Sequence, residues 1–417
     1  MSKKRIFTLL VILIAVGLAA FFGLRLNSNK NQVSANAPFD LPPYAKAGPY
    51  GIGLQNLTIE NDNPLPLTVW YPANGEAAET RSMKYPYGVK LGKPFGSLSI
   101  ASSHGYAIEN AAFDRSDAPY PLVILSPGFS IGSTAYAWLA EHLASYGFVV
   151  VSPNHQENLD PQNQLWQTAI TRPVDILSVF DYLDQQVAPD EAFEGLIDTE
   201  NVAVAGHSYG GYTTLAAAGA RIDTPYLQSL CQNAIDEEHE AAWICEIILA
   251  HQGDMAELAG LDGVPDSLWP ASADPRVDAI IAMAGDAFFF GPEGLACIEI
   301  PVMAIGGTAD QDSPFAWGPQ PAYDYVSSSR KALVALEGAE HMIFTGPCEN
   351  VPWYLGFFSG EFCSDSTWDR AYAQAITKHL STAFLLAEMR HDKLAGAALS
   401  QDNVDFMDVS YEEQGYD

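Results

Sequence analysis

Two glycines bracket one serine at Gly206-His207-Ser208-Tyr209-Gly210, and Gly211 follows at once. The stretch before it, VAVA at 202–205, reads as a short apolar strand, and GGYTTLAAAGA at 210–220 reads as a helix of small residues. A chain that passes from strand to helix so abruptly must turn sharply and hold the apex residue in a strained conformation. Side chains at the two flanking positions would collide, so glycine is needed there. The helix N-terminus beneath the apex favours negative charge that develops beside it. A serine in this setting is a candidate nucleophile rather than part of an ordinary glycine-rich turn.

The rest of the chain supplies the frame that such a turn needs. LTVWY at 67–71 is an early strand, and residues 73–118, rich in Gly, Ser and Pro, read as a long surface connection. Strands and helices then alternate: PLVILS at 121–126, a helix over about 133–146, and FVVVS at 148–152. Thr171 suits an N-cap and Pro173 the first turn of the next helix, whose Leu177, Phe180 and Leu183 line one face. Apolar runs at 279–284, 302–305 and 332–336 are three more strands, and 371–389 is a closing helix. Continuous apolar strands alternating with helices predict an α/β fold with a mostly parallel sheet covered on both faces. Residues 222–275 interrupt the alternation after the elbow helix, where a helical cap would be inserted. The body of the domain spans 47–395. Residues 396–417 are polar and acidic, and read as a disordered tail.

A serine hydroxyl is a weak nucleophile and needs an adjacent base, itself oriented by a third group. In a sheet of this kind the chain order should be Ser, then Asp or Glu, then His. Asp310 follows the strand PVMAIGG, at the carboxyl end where ligands meet open α/β sheets. His341 follows the next strand, in Gly338-Ala339-Glu340-His341. Asp286, at the end of the preceding strand, is the rival acid, and Asp312 lies further from its strand end. The oxyanion of an acyl-transfer intermediate needs two backbone donors. Tyr209, the residue after the serine, offers one N–H. The loop Ser126-Pro127-Gly128-Phe129-Ser130 offers the other through Phe129, because proline has none. His207 should pack against neighbouring strands, and His155 is placed either to line a pocket or to make structural hydrogen bonds.

Charge and targeting set the surroundings. The chain carries 20 Lys plus Arg against 51 Asp plus Glu. Such a surface repels phosphate backbones, so nucleic acid is excluded as a partner. Residues 6–24 are uncharged and apolar, with Lys3, Lys4 and Arg5 just before them. They read as an N-terminal membrane anchor or signal segment within 1–30, followed by a linker at 31–46. Both readings export the remainder, either tethered to the membrane or secreted. The five cysteines suit an oxidising compartment. Cys231/Cys245 and Cys348/Cys363 are local pairs that would leave Cys297 as a buried thiol, although the sequence alone allows other pairings.

The chain resembles the α/β-hydrolase superfamily. Within it, the chain is similar to bacterial predicted dienelactone hydrolases and to platelet-activating-factor acetylhydrolases of the plasma type. GPYGIGLQNLTI, PLPLTVWYPA, PLVILSPGFS, RPVDILSVFDYL, VAVAGHSYGGYTTLAAAGA, FGPEGLACIEIPVMAIGGTAD and GAEHMIFTGPC carry the likeness, over about residues 48–390. The resemblance implies a serine esterase that uses no metal or cofactor. Its expected catalytic residues are Ser208, Asp310 and His341, and its substrate a small-molecule or lipid ester. In the mammalian acetylhydrolases the acid sits one strand earlier, nearer Asp286. True dienelactone hydrolases use a cysteine where this chain has Ser208. Cutinase-like polyester hydrolases share the triad order. An acyltransferase on the same triad and a non-catalytic binding protein on the same fold are the other readings.

Overall fold

A computed structural model describes residues 40–416, apart from 62, 76–79, 93–95 and 356–358. The apolar segment at 6–24 and residues 31–39 of the expected linker lie outside the described residues. Among the described residues, no helix is long and apolar enough to cross a membrane.

In chain order the strands are β1 (Gly51–Ile59), β2 (Leu65–Ala73), β3 (Met83–Gly92), β4 (Gly96–Gly105), β5 (Ile108–Glu109), β6 (Tyr120–Ser126), β7 (Val149–Pro153), β8 (Ile197–His207), β9 (Val277–Met283), β10 (Val302–Gly307), β11 (Lys331–Leu336) and β12 (Val409–Gln414). All but β3 and β4 join one sheet, in the order β12-β11-β10-β9-β8-β6-β7-β2-β1-β5. The run β7-β6-β8-β9-β10-β11 is parallel throughout. Antiparallel β2 and β12 flank that run.

Both faces of the sheet are buried, which explains why its strands read as unbroken apolar runs. Leu122, Ile124, Val149, Val151, Val202 and Val204 point to one core, and Val123, Leu125, Val150, Ala203 and Ala205 to the other. The first core is closed by α2 (Pro161–Gln186), α3 (Tyr209–Ala217) and the segment α4 (Thr224–Asp236), α5 (Ala242–Ala250) and α6 (Gln252–Leu258). The second is closed by α1 (Ala137–Ser145) and the helix Arg370–Met389. The segment expected to hold a cap is thus three helices. Cys231–Cys245 bridges α4 to α5, and Cys348–Cys363 forms a second disulfide.

Several expectations need correction. Helix α2 starts at Pro161, not at Thr171, so Pro173 lies inside it. Leu165, Thr168 and Ala169 face the core, and their burial extends the helix upstream. Proline at 173 cannot donate to the Ala169 carbonyl one turn back. The Tyr212 hydroxyl donates to that carbonyl instead, at 2.8 Å. The stretch 73–118 is not a bare connection but includes the β3–β4 hairpin, in which Tyr85, Tyr87 and Val89 turn inward at every second position. Cys297 is exposed rather than buried, because it follows a single-turn helix and precedes the strand. Residues 396–416 of the acidic end are ordered. Strand β12 covers the open edge of β11, Tyr411 and Tyr416 are buried, and Arg330 donates to the Gly415 carbonyl at 3.2 Å. An edge strand left unpaired is a liability, and two buried rings outweigh the acidic composition there. Part of the expected linker is also packed: Tyr44 stacks on His379, and its carbonyl accepts from His142 Nε2 at 2.8 Å.

Candidate active site

Every residue singled out for chemistry lies just beyond the carboxyl end of a parallel strand. Ser208 follows β8, the loop 127–130 follows β6, Asp286 follows β9, Asp310 follows β10 and His341 follows β11. The parallel sheet therefore gathers these distant segments at one end.

Ser208 occupies the turn with φ 59° and ψ −127°, a region that residues with side chains rarely adopt. A Cβ at Gly206 would run into the Gly210 carbonyl, and one at Gly210 into the Ser126 carbonyl. The Ser208 amide is tied to Met283 O at 2.9 Å, and its carbonyl accepts from Gly211 at 2.7 Å. The neighbouring strand and α3 hold the apex in place.

His341 Nε2 lies 2.8 Å from Ser208 Oγ, and Nδ1 lies 2.6 Å from Asp310 Oδ2. The other Asp310 oxygen accepts the amides of Asp312 at 2.9 Å and Ser313 at 2.8 Å, which fixes the carboxylate plane. Asp286 does not reach the imidazole. Its Oδ1 accepts the Ser313 hydroxyl at 2.7 Å. Burial pushes the Asp286 carboxyl up to about 7. Burial alone would lower His341. The charge and hydrogen bond of Asp310, with Asp312 and Asp286 behind them, carry it up instead to about 9.

The two expected oxyanion donors stand free. Neither the Phe129 nor the Tyr209 amide donates to a protein acceptor among the described residues. Their rings meet edge to face, with centroids 6.2 Å apart. His155 makes structural hydrogen bonds: it is buried, with Nε2 3.0 Å from Ser126 Oγ and Nδ1 2.7 Å from Asp175.

His207 is more than packing. Its Nε2 donates to the His341 carbonyl at 3.0 Å, so Nδ1 must accept from the Tyr136 hydroxyl, 2.8 Å away. Tyr136 in turn accepts the Gly128 amide at 3.0 Å. Burial, reinforced by the charge of His341, holds His207 well below the ordinary histidine range, so it stays neutral. Sequence reasoning also missed Arg172 and Glu157, a fully buried ion pair at 2.6 Å. Its one sequence signal is an arginine on the buried stripe of an amphipathic helix. Burial alone would raise Glu157, but Arg172 and Lys90 bring it down to about 2. Among the described residues, no group of three or more His, Cys, Asp or Glu side chains is placed to hold a metal ion.

Two family models match parts of the chain: chlorophyllase over residues 112–235 and platelet-activating factor acetylhydrolase, isoform II, over residues 39–169. Both models describe hydrolases, and they agree with the sheet and its elbow. The chain has an α/β-hydrolase fold. This α/β-hydrolase is 32% identical to a bis(hydroxyethyl) terephthalate hydrolase of Streptomyces coelicolor over 158 residues, 38% of this chain and 46% of the relative. It is 29% identical to cutinase 2 of Thermobifida cellulosilytica over 145 residues, 35% of this chain and 50% of the relative. A cutinase of Thermobifida fusca is also 29% identical over 145 residues, 35% of this chain and 41% of that protein. The α/β-hydrolase thus spans half or less of the length of these curated relatives.

Proposed function

We propose that this α/β-hydrolase cleaves carboxylic esters through an acyl-enzyme. The observation that carries the reading is the hydrogen-bonded run from Asp310 through His341 to Ser208, set beside two uncommitted amides. Ser208 Oγ attacks the ester carbonyl while His341 Nε2 takes its proton. The oxyanion accepts from the Phe129 and Tyr209 amides. Collapse expels the alcohol, which His341 protonates. Water then repeats the sequence and releases the acid. Asp310 keeps Nδ1 protonated and stabilises the imidazolium. The substrate is a short-chain acyl ester or a lipid ester, a class supported by the match to the acetylhydrolase model. A polyester-type substrate is the second reading, favoured by the similarity to the cutinases and the terephthalate ester hydrolase.

The test is a series of nitrophenyl esters of increasing acyl length, each measured across pH. His341 must be neutral to accept a proton, and its neighbours hold it at about 9. We expect kcat/KM to rise about tenfold per pH unit on the acid side and to level off near that value. Stability should move the other way. The folded state keeps a proton that the unfolded chain loses above about 6.5, so this contribution is full below that pH and is lost as pH rises towards 9. Absence of turnover at every chain length would overturn the reading.

Export is part of the same proposal. It is supported by the two disulfides and by the apolar segment at 6–24 behind Lys3, Lys4 and Arg5. Intact cells should hydrolyse an impermeant ester, and the activity should sediment with membranes if the segment stays in place as an anchor. Soluble extracellular activity would mean that the segment is cleaved. Cytoplasmic activity with all five thiols free would refute export.

A further inference from the structure

Buried charge gathers beneath one loop of the site. Arg172, fully buried in α2, donates to the carbonyls of Pro127 at 2.7 Å and Gly128 at 3.0 Å. The same guanidinium is 2.6 Å from Glu157 Oε1, and that oxygen also accepts the Ser130 amide at 2.9 Å. On the far side, Lys90 of β3 donates its amide to the Ser130 carbonyl at 2.9 Å and accepts the Ser130 hydroxyl at 3.0 Å. The loop is thus held on both sides of Phe129.

The consequence is directional. Gly128 donates to Tyr136, Ser130 to Glu157 and Ile131 to Gly128 O, so Phe129 alone among these four amides has no acceptor among the described residues. The peptide joining Gly128 to Phe129 is planar and trans, so its C=O and N–H point in opposite directions. Pinning the Gly128 oxygen to Arg172 therefore aims the Phe129 N–H away from the ion pair. A cation on the carbonyl also polarises the peptide and strengthens its N–H as a donor.

Stability alone does not call for an ion pair at this place. Two apolar side chains of similar volume often hold a buried contact as well as an ion pair does, because neither needs desolvation. Lysine would not substitute, since only the guanidinium fork reaches two carbonyls and a carboxylate at once. We propose that Arg172, braced by Glu157, is the positioning residue of the oxyanion site, fixing and polarising the peptide that presents the Phe129 N–H. The inference rests on the ester-hydrolase reading of Ser208.

The test pairs Arg172→Lys with the double variant Glu157→Leu/Arg172→Met, which removes both charges together. Three quantities are measured on the full chain: kcat and KM for a nitrophenyl ester corrected by active-site titration, the melting temperature, and the inhibition constant of a trifluoromethyl ketone. That ketone adds to the serine and carries an oxyanion. Both variants should keep KM within about threefold and lose kcat by about 10²-fold or more, the scale for losing one oxyanion donor. Affinity for the ketone should fall in the same proportion, a change that a purely structural role would not produce once the active fraction is counted. Should the double variant fail to fold, Arg172→Lys, which keeps a cation beside Glu157, is judged by the same numbers. A folded variant with kcat and ketone affinity within threefold of the parent overturns the inference alone. A parent protein without Ser208-dependent turnover overturns the ester-hydrolase reading, and the inference with it.

Discussion

Ser208→Ala should fold like the parent and lose ester hydrolysis by on the order of 10⁶-fold in kcat, the scale for removing the nucleophile of such a triad. Among the described residues the hydroxyl hydrogen-bonds only to His341 Nε2, while the backbone of residue 208 is fixed by Met283 O and by α3. Removing one oxygen leaves those restraints intact, so the melting temperature should change little. Labelling by a fluorophosphonate probe should vanish with the activity. If the variant still turned over esters at the parental rate, the acyl-enzyme mechanism would be wrong. A binding protein on this fold would also have no labelled serine in the parent.

The second large effect belongs to Asp310→Asn, expected to cost about 10⁴-fold in kcat with the fold retained. The amides of Asp312 and Ser313 both donate to Asp310 Oδ1, so an asparagine there keeps its oxygen on them and turns its NH₂ towards His341. Nδ1 must then accept, Nε2 becomes protonated, and the imidazole can no longer take the serine proton. Asp286→Asn should stay within about tenfold of the parent, because Asp286 bonds Ser313 rather than the imidazole. Its carboxyl, pushed up to about 7 by burial, is already partly neutral near neutral pH, and an amide resembles that form. Comparing the two variants at one pH decides the assignment. Greater damage from Asp286→Asn would move the acid one strand earlier.

What could be read from the residues follows from how local each constraint is. The elbow was legible because two colliding positions force glycine on either side of Ser208. Asp310 and His341 were legible because a parallel sheet brings the ends of successive strands together. Position at a strand end put Asp310 ahead of Asp286 without removing the rival, and in the structure it is Asp310 that lies 2.6 Å from His341 Nδ1. Other features depend on partners remote in sequence. Pro173 suggested a helix start, and only Tyr212, from the elbow helix, shows how the orphaned Ala169 carbonyl is satisfied within a longer one. The acidic end looked disordered because composition does not record that β11 presents an open edge to it. Arg172 falls in register with the buried stripe of its helix, but nothing in the sequence names Glu157 as its partner. The β3 hairpin is a different kind of miss: the alternation of Tyr85, Tyr87 and Val89 was present in the sequence and was masked by the glycines and serines around it.

In the serine signature, residue 207 is the letter left open, the one an engineer would regard as free to vary. Here both nitrogens of His207 are committed, one to the backbone of His341 and the other to the tyrosine that receives the Gly128 amide. The segment bearing His341 and the segment bearing Phe129 are therefore two ends of a single tether knotted at the elbow. Resculpting one of those loops for a new substrate would tug on the other, so this scaffold is better remodelled from its helical segment at 222–275 than from the turns that carry its chemistry.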